Sequence, residues 1–175
     1  MDSSLPPLTK PEQIDRKHKV VGFTCGRDSL DDWLQNYALK SNAAGDSRVF
    51  VICNTSGEVA GYYSVSAGSV NRKEATRKIG TNAPNPVPMA LIGRLAVHKD
   101  MQKQGIGAAL MRDAVLRVAQ AAEIMGIKGI MVHALDADAA RFYAERGFHP
   151  SKIDDHHLMI SMSEVIAELS SPPKG

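Results

Sequence analysis

Gln102, Gly105 and Gly107 stand at the spacing Q-x-x-G-x-G at the head of a run of good helix formers, QKQGIGAALMRDAVLRVAQAAE. A helix N-terminus carries unpaired N–H groups and about half a positive charge, so it attracts anions. Glycines there weaken the helix but let a bulky anion approach the backbone. The stretch reads as a phosphate cradle or as a tight turn before a helix. It is not a nucleotide P-loop, because no Lys–Ser/Thr pair follows Gly107. The dinucleotide fingerprint is also missing, its third glycine position being Leu110.

Other residues could also do chemistry. Tyr143, beside Phe142, offers either a packing ring or a phenol proton with a reference pKa of about 10. Arg72, Lys73, Arg77 and Lys78, with Arg94 further on, form a solvated surface or a set of phosphate contacts. His133 lies in an apolar stretch and reads as a packed or hydrogen-bonded histidine, or as a base. The run DDHH at 154–157 makes a poor chelate, since adjacent ligands on one short loop cannot surround a metal, and no metal site is expected. No GxSxG elbow exists, so hydrolase chemistry has no support. Cys25 and Cys53 are far apart in sequence and read as reduced, buried thiols.

The bulk properties bound these readings. The 175 residues suffice for one domain with a sizeable core. No apolar run reaches the roughly 20 residues that span a bilayer, and MDSSLPPLTKPEQ has no signal-peptide core, so a cytoplasmic protein with no membrane partner is expected. Net charge is only +2, so a nucleic-acid partner needs a local basic patch.

The elements that must position these residues follow from periodicity. Residues 1–19, with Pro6, Pro7 and Pro11, read as a flexible arm, 20–170 as a single domain, and 171–175 as a loose tail. A helix is expected over 29–43, with Leu30, Trp33, Leu34, Tyr37 and Ala38 on one face and Ser29 and Asp32 at capping-box-like spacing. Strands are expected at 48–54 and 59–69 around a turn at 55–58. A basic and then Gly/Asn/Pro-rich loop covers 71–88, followed by a strand at 89–97 and a helix at 105–125. A short strand at 128–135 leads to a helix capped by Asp136 and closed by Gly147. A strand at 158–162 and a short helix end the chain. This order implies a mixed sheet with helices packed on it.

LIGRLAV, then Q-x-x-G-x-G-A-A-L, then a strand, then ARFYAERGF resembles the GNAT acetyltransferase family. Over most of 23–162, FTCGRDSLDDWLQNYALKSNAAGDSRVFV, GYYSVSAGSV and VHALDADAARFYAERGF resemble one branch: the acetyltransferase toxins of type II toxin–antitoxin modules. The resemblance implies an α/β GNAT fold, a mixed, mostly antiparallel sheet flanked by helices, with a splayed central strand pair that holds acetyl-CoA. It implies that the backbone amides of Gln104, Gly105, Ile106, Gly107 and Ala108 grip the pyrophosphate, with Gln102 and Lys103 also among the cofactor-binding residues. Leu95, Ala96 and Val97 would line the pantetheine arm, Gly93 would mark a bulge, and Phe142 would touch the cofactor. Tyr143 would be the acid that protonates the departing thiolate, whose parent thiol has a pKa near 8.5.

The resemblance further implies an N-acetyltransferase acting on the α-amine of aminoacyl-tRNA, with Arg72, Lys73, Arg77, Lys78 and Arg94 as tRNA contacts. Partners would be a ribbon-helix-helix antitoxin, a second copy in a homodimer, and operator DNA reached only through the antitoxin. Many GNAT enzymes carry a glutamate base on the central strand, but MALIGRLAV has no carboxylate. An α-amine starts near pKa 7.7–8.0 against about 10.4 for lysine, so a missing base favours an aminoacyl ester. The alternatives are acetylation of a small amine or protein amine, and a non-catalytic CoA-binding module.

Overall fold

The computed structural model describes residues 7–171. The chain divides into two compact units: residues up to Ser66 with Gly93–Ala114, and Ala67–Ile92 with the residues from Val115 onward. β3, β4 and α4 each run from one unit into the other.

The first unit is built on β1 (Glu12–Gln13), β2 (Arg48–Cys53), the first part of β3 (Val59–Val70) and the last part of β4 (Val87–Val97). The β2–β3 hairpin forms as its turn residues dictate. The Asn54 carboxamide oxygen accepts the N–H groups of Ser56 and Glu58, and Gly57 takes the left-handed φ of +83° that glycine tolerates. Five of the six residues of β2 are buried, so it is a covered strand without polar alternation. Its core includes Ile14, Phe23, Leu34, Val49, Val51 and Tyr62.

Two expectations fail in this unit. Residues 7–19 are not a flexible arm: β1 pairs antiparallel with β2, Ile14 is buried and donates its N–H to Val49, and buried His18 meets the Glu12 carboxylate at 2.8 Å. A two-residue edge strand of Glu and Gln carries no apolar alternation, so the sequence gives no sign of it. Residues 1–6, and 172–175 of the expected tail, lie outside the described residues.

The expected helix 29–43 is also two helices, α1 (Asp28–Asn36) and α2 (Ala38–Ala44), broken at Tyr37 with φ −126°. Arg27 sits at the N-cap without a side-chain cap, and Asp31 instead accepts the Cys25 N–H. Asn42 on α2 is buried, and its carboxamide oxygen accepts the Val49 N–H.

The second unit holds the end of β3, the start of β4, β5 (Gly129–His133), β6 (His149–Pro150) and β7 (His157–Ser161). β4 and β5 run parallel over Met89–Ile92, whereas β5–β7 and β6–β7 are antiparallel. The hydrogen-bonded strand order is β1-β2-β3-β4-β5-β7-β6, a mostly antiparallel seven-stranded sheet flanked by helices. The expected loop at 71–88 contains α3 (Arg77–Gly80), which buries Ile79 in a core with Val70, Val87, Met89, Met131 and Met159. Gly129 admits this packing: a Cβ there would lie 2.5 Å from the Ile160 carbonyl oxygen. α4 (Ile106–Ala121) and α5 (Ala137–Ala144) follow their strands as expected. Ser161 caps α6 (Met162–Ser170) in a reciprocal capping box with Glu164.

Candidate active site

The glycine-rich stretch lies in the first unit. β4 ends at Val97, and a single 3-10 turn, Lys99–Met101, reverses the chain. Its base is fixed by His98 N–H on the Ala60 carbonyl and Lys99 N–H on the Thr24 carbonyl, both at 2.8 Å. The Gln102 carboxamide donates to the carbonyls of Cys25 and Val97, at 2.8 and 2.9 Å. Gln102 is therefore a brace that ties the loop to the end of β4. Lys103 and Gly105 adopt left-handed φ values of +63° and +85°. Gly105 is exposed, and a Cβ there would meet nothing within 4 Å.

Ala109 N–H reaches the Gly105 carbonyl in the first full helical bond. The amides of Ile106, Gly107 and Ala108 thus have no partner inside α4. Ile106 is buried and anchors the helix start. The result is open backbone at the positive end of a 16-residue helix, the donor set that a phosphate fits.

On β4 the parallel ladder with β5 ends at Ile92, one residue before Gly93. Ala96 is buried, while Leu95 and Val97 are half-buried. The Val97 carbonyl already accepts the Gln102 amide.

Arg94 lies 4.0 Å over the Trp33 ring, which stacks on Tyr62 at 6.0 Å and 14°. The Tyr62 hydroxyl donates to the Leu30 carbonyl at 2.7 Å, fixing the stack to α1. Burial lowers the guanidinium's pKa below its ordinary value, yet no carboxylate pairs with it among the described residues. Cys25 and Cys53 are both free, and burial pushes each thiol up to about 11. They are protonated near neutral pH and are poor nucleophiles.

Tyr143 lies in the second unit, on α5. Asp136 caps this helix by accepting the Ala139 N–H, and Gly147 follows it at φ +93°. Tyr143 is 7% exposed, with Phe142 and Phe148 edge-on at 5.3 and 5.8 Å. Packing therefore fixes the position of its phenol. Phe142 is covered by the Arg146 guanidinium at 3.7 Å, and Arg146 also donates to the Phe142 carbonyl.

The basic residues divide. Arg72 donates to the Ala83 carbonyl and Lys78 pairs with Glu164 at 3.2 Å, so both have structural partners. Lys73 and Arg77 are exposed. Arg94 belongs to the other unit.

His133 is an exposed residue at the end of β5, not a packed one, and its ring stacks on that of His157 at 4.2 Å and 22°. His157, its register partner on β7, is the buried member. In the sequence His157 is only the last residue of the polar DDHH run, and its burial comes from the pairing of β7 with β5. Among the described residues no group of three or more His, Cys, Asp or Glu could hold a metal, and no helix is long and apolar enough to cross a membrane.

Residues 45–150 match the family model for the acetyltransferase (GNAT) domain. A protein named tRNA-acetylating toxin from Mycobacterium tuberculosis is 41% identical over 157 residues, covering 90% of this chain and 94% of its own. Among solved structures, AtaT complexed with acetyl-methionyl-tRNAfMet has a TM-score of 0.85 at 25% identity, covering 94% of this chain and all of the other. A mutant AtaT toxin bound to the C-terminus of the antitoxin AtaR and acetyl-CoA has a TM-score of 0.81 at 26% identity. It covers 94% of this chain and 99% of its own.

Proposed function

The chain belongs to the GNAT acetyltransferases, and from that premise we propose that it is a toxin that acetylates the α-amino group of the amino acid on charged tRNA, blocking translation. The observation that carries this reading is the 41% identity, across nearly the whole length of both chains, to a protein named for that activity.

Acetyl-CoA supplies an activated thioester, and this chain's residues supply the rest. The amides at the start of α4, from Gln104 through Ala108, take the pyrophosphate, with Gly105 leaving the approach open. Lys103 and the Gln102 brace hold the loop in the shape that aims those amides. The Leu95 backbone and the Val97 N–H hydrogen-bond the pantetheine arm, and Phe142 packs against the cofactor. The amine nitrogen attacks the thioester carbonyl, the C–S bond breaks, and the Tyr143 phenol gives its proton to the sulfur. The attacking amine loses its proton to water, since the 89–97 strand has no carboxylate to act as base. An α-amine of pKa near 8 is substantially neutral without one.

The basic residues Lys73, Arg77 and Arg94 contact tRNA phosphates, with Arg72 and Lys78 contributing beside their structural partners. The partners are a ribbon-helix-helix antitoxin, whose C-terminal segment masks the toxin, and a second copy in a homodimer. Operator DNA is reached only through the antitoxin, and the protein acts in the cytoplasm. The antitoxin-bound AtaT neighbour supports the first of these.

The test is incubation with total charged tRNA and labelled acetyl-CoA, followed by identification of the labelled product. Acetyl-aminoacyl-tRNA is the expected product. Label found only on a small amine or a protein, or no turnover at all, overturns the reading.

A further inference from the structure

His157 poses a physical problem. It is 8% exposed, and its Nε2 is buried with no hydrogen-bond partner. Burying such an atom unpaired disfavours the fold. A phenylalanine would fill the same space without that cost. The ring is nevertheless held firmly. Ser151 N–H binds the His157 carbonyl at 2.7 Å, His157 N–H binds the Asp154 carbonyl, and the Ser151 hydroxyl gathers the N–H groups of Ile153 and Asp154. What this ring does is lie flat under His133, 4.2 Å away and nearly parallel.

His133 is the exposed half of the pair, so the fold presents a heteroaromatic ring backed by a second one. The segments leaving the pair carry apolar side chains in solvent, Leu135 at 58% and Ile153 at 69% exposure. A backbone hydrogen bond from Lys152 to the Glu74 carbonyl ties the loop under His157 to the basic stretch at 72–78. Exposed Lys73, Arg77 and Lys152 are therefore on segments joined to this surface. Carboxylates at Glu74, Asp154 and Asp155 lie on the same segments and offset much of their charge. Burial, together with His133, disfavours the charged form of His157, while Asp154 and Glu74 favour it.

A flat exposed ring with a second ring stacked behind it, an apolar fringe and cations nearby is the combination that receives an unpaired nucleobase. Single-stranded RNA ends are held by stacking on aromatic rings, with basic groups following the backbone. A basic protein surface alone would track phosphates and would not need a buried backing ring.

We propose that His133, backed by His157, is a stacking platform for an unpaired base at the acceptor end of the tRNA substrate. This rests on the reading that charged tRNA is the acceptor. In it His133 touches the substrate, and His157 is a positioning residue that acts through His133.

The test compares wild type with His133→Ala, His133→Phe and His157→Ala, using charged tRNA whose terminal adenosine is replaced by fluorescent 2-aminopurine. In the wild type, binding should change the 2-aminopurine emission through stacking. His133→Ala should lose that change and raise KM for charged tRNA by roughly tenfold, with kcat and acetyl-CoA affinity retained. His133→Phe should restore both the emission change and KM, because it keeps a ring and loses only the nitrogens. His157→Ala should raise KM in the same way as His133→Ala. An unchanged KM in His133→Ala overturns the platform while leaving tRNA acetylation standing. A collapse of kcat in His133→Phe also overturns it, because the imidazole would then be moving a proton. Failure of the wild type to acetylate charged tRNA overturns the underlying function instead.

Discussion

The guanidinium of Arg94 lies 4.0 Å above the ring of Trp33, joining β4 to α1. A cation held on an indole face is oriented but not neutralised, and it remains able to accept an anion. Arg94→Lys keeps the charge but loses the flat contact. The expected result is a severalfold rise in KM for charged tRNA, unchanged acetyl-CoA affinity, and a stability loss of about 0.5–1 kcal/mol. Steady-state kinetics and thermal melts check both. A wild-type KM in Arg94→Ala would assign the pair to packing alone.

Gly105 combines a left-handed backbone with open space. Gly105→Val should therefore fold, with about 1–2 kcal/mol of backbone strain, yet place a branched side chain where the phosphate must approach. Calorimetry should show acetyl-CoA affinity falling by more than about tenfold, roughly the 1.4 kcal/mol that a lost charge-assisted hydrogen bond represents. Unaltered affinity would refute the cradle.

Tyr143→Phe keeps the ring between Phe142 and Phe148 and removes the only proton it can give. The protein should stay folded, bind acetyl-CoA, and lose roughly 10²–10⁴-fold in kcat. Growth arrest on expression without antitoxin should disappear with it. Full activity in a verified sample would mean that the thiolate is protonated elsewhere.

Neutralising Lys73 and Arg77 together should flatten the salt dependence of tRNA binding by a slope of roughly 2, about one unit per phosphate contact. Lys78→Ala should act more through stability, because its ammonium already holds Glu164. Identical salt slopes for the double variant and wild type would make both residues ordinary surface.

Glu164 governs a pH effect. Burial raises its pKa, but hydrogen bonds from the Ser161 backbone and hydroxyl, Lys78 and His149 outweigh this and hold it at about 2. The folded pKa is below the ordinary 4.5, so its stabilisation is complete above about pH 4.5 and is lost as pH falls toward 2. Glu164→Gln should lower Tm at pH 7 and differ progressively less from wild type below pH 4. An equal deficit at pH 7 and pH 2.5 would remove the carboxylate from this role.

Much of this was legible in the chain itself. Local signals gave the helix at the glycine-rich stretch, the Asn54–Glu58 turn and the Asp136 cap, because each depends on residues within one turn of each other. The fold class and the site residues came from motif resemblance, since periodicity alone fixes a mixed sheet and not its strand order. Long-range contacts left no such local trace. β1 owes its existence to hydrogen bonds from β2, and the break at Tyr37 lies in a stretch whose apolar spacing is continuous.

The sequence by itself determined that this chain carries a glycine-rich helix start, a tyrosine after a buried strand and a GNAT-like order of elements, because these follow from neighbouring residues. Only the tertiary structure decided how the side chains are used. It turned Gln102 into a brace on Cys25 and Val97, committed Lys78 to Glu164 while leaving Lys73 exposed, and laid His157 beneath His133. Each of these depends on groups brought together by strand register and packing from distant parts of the chain. No one-dimensional spacing records such encounters.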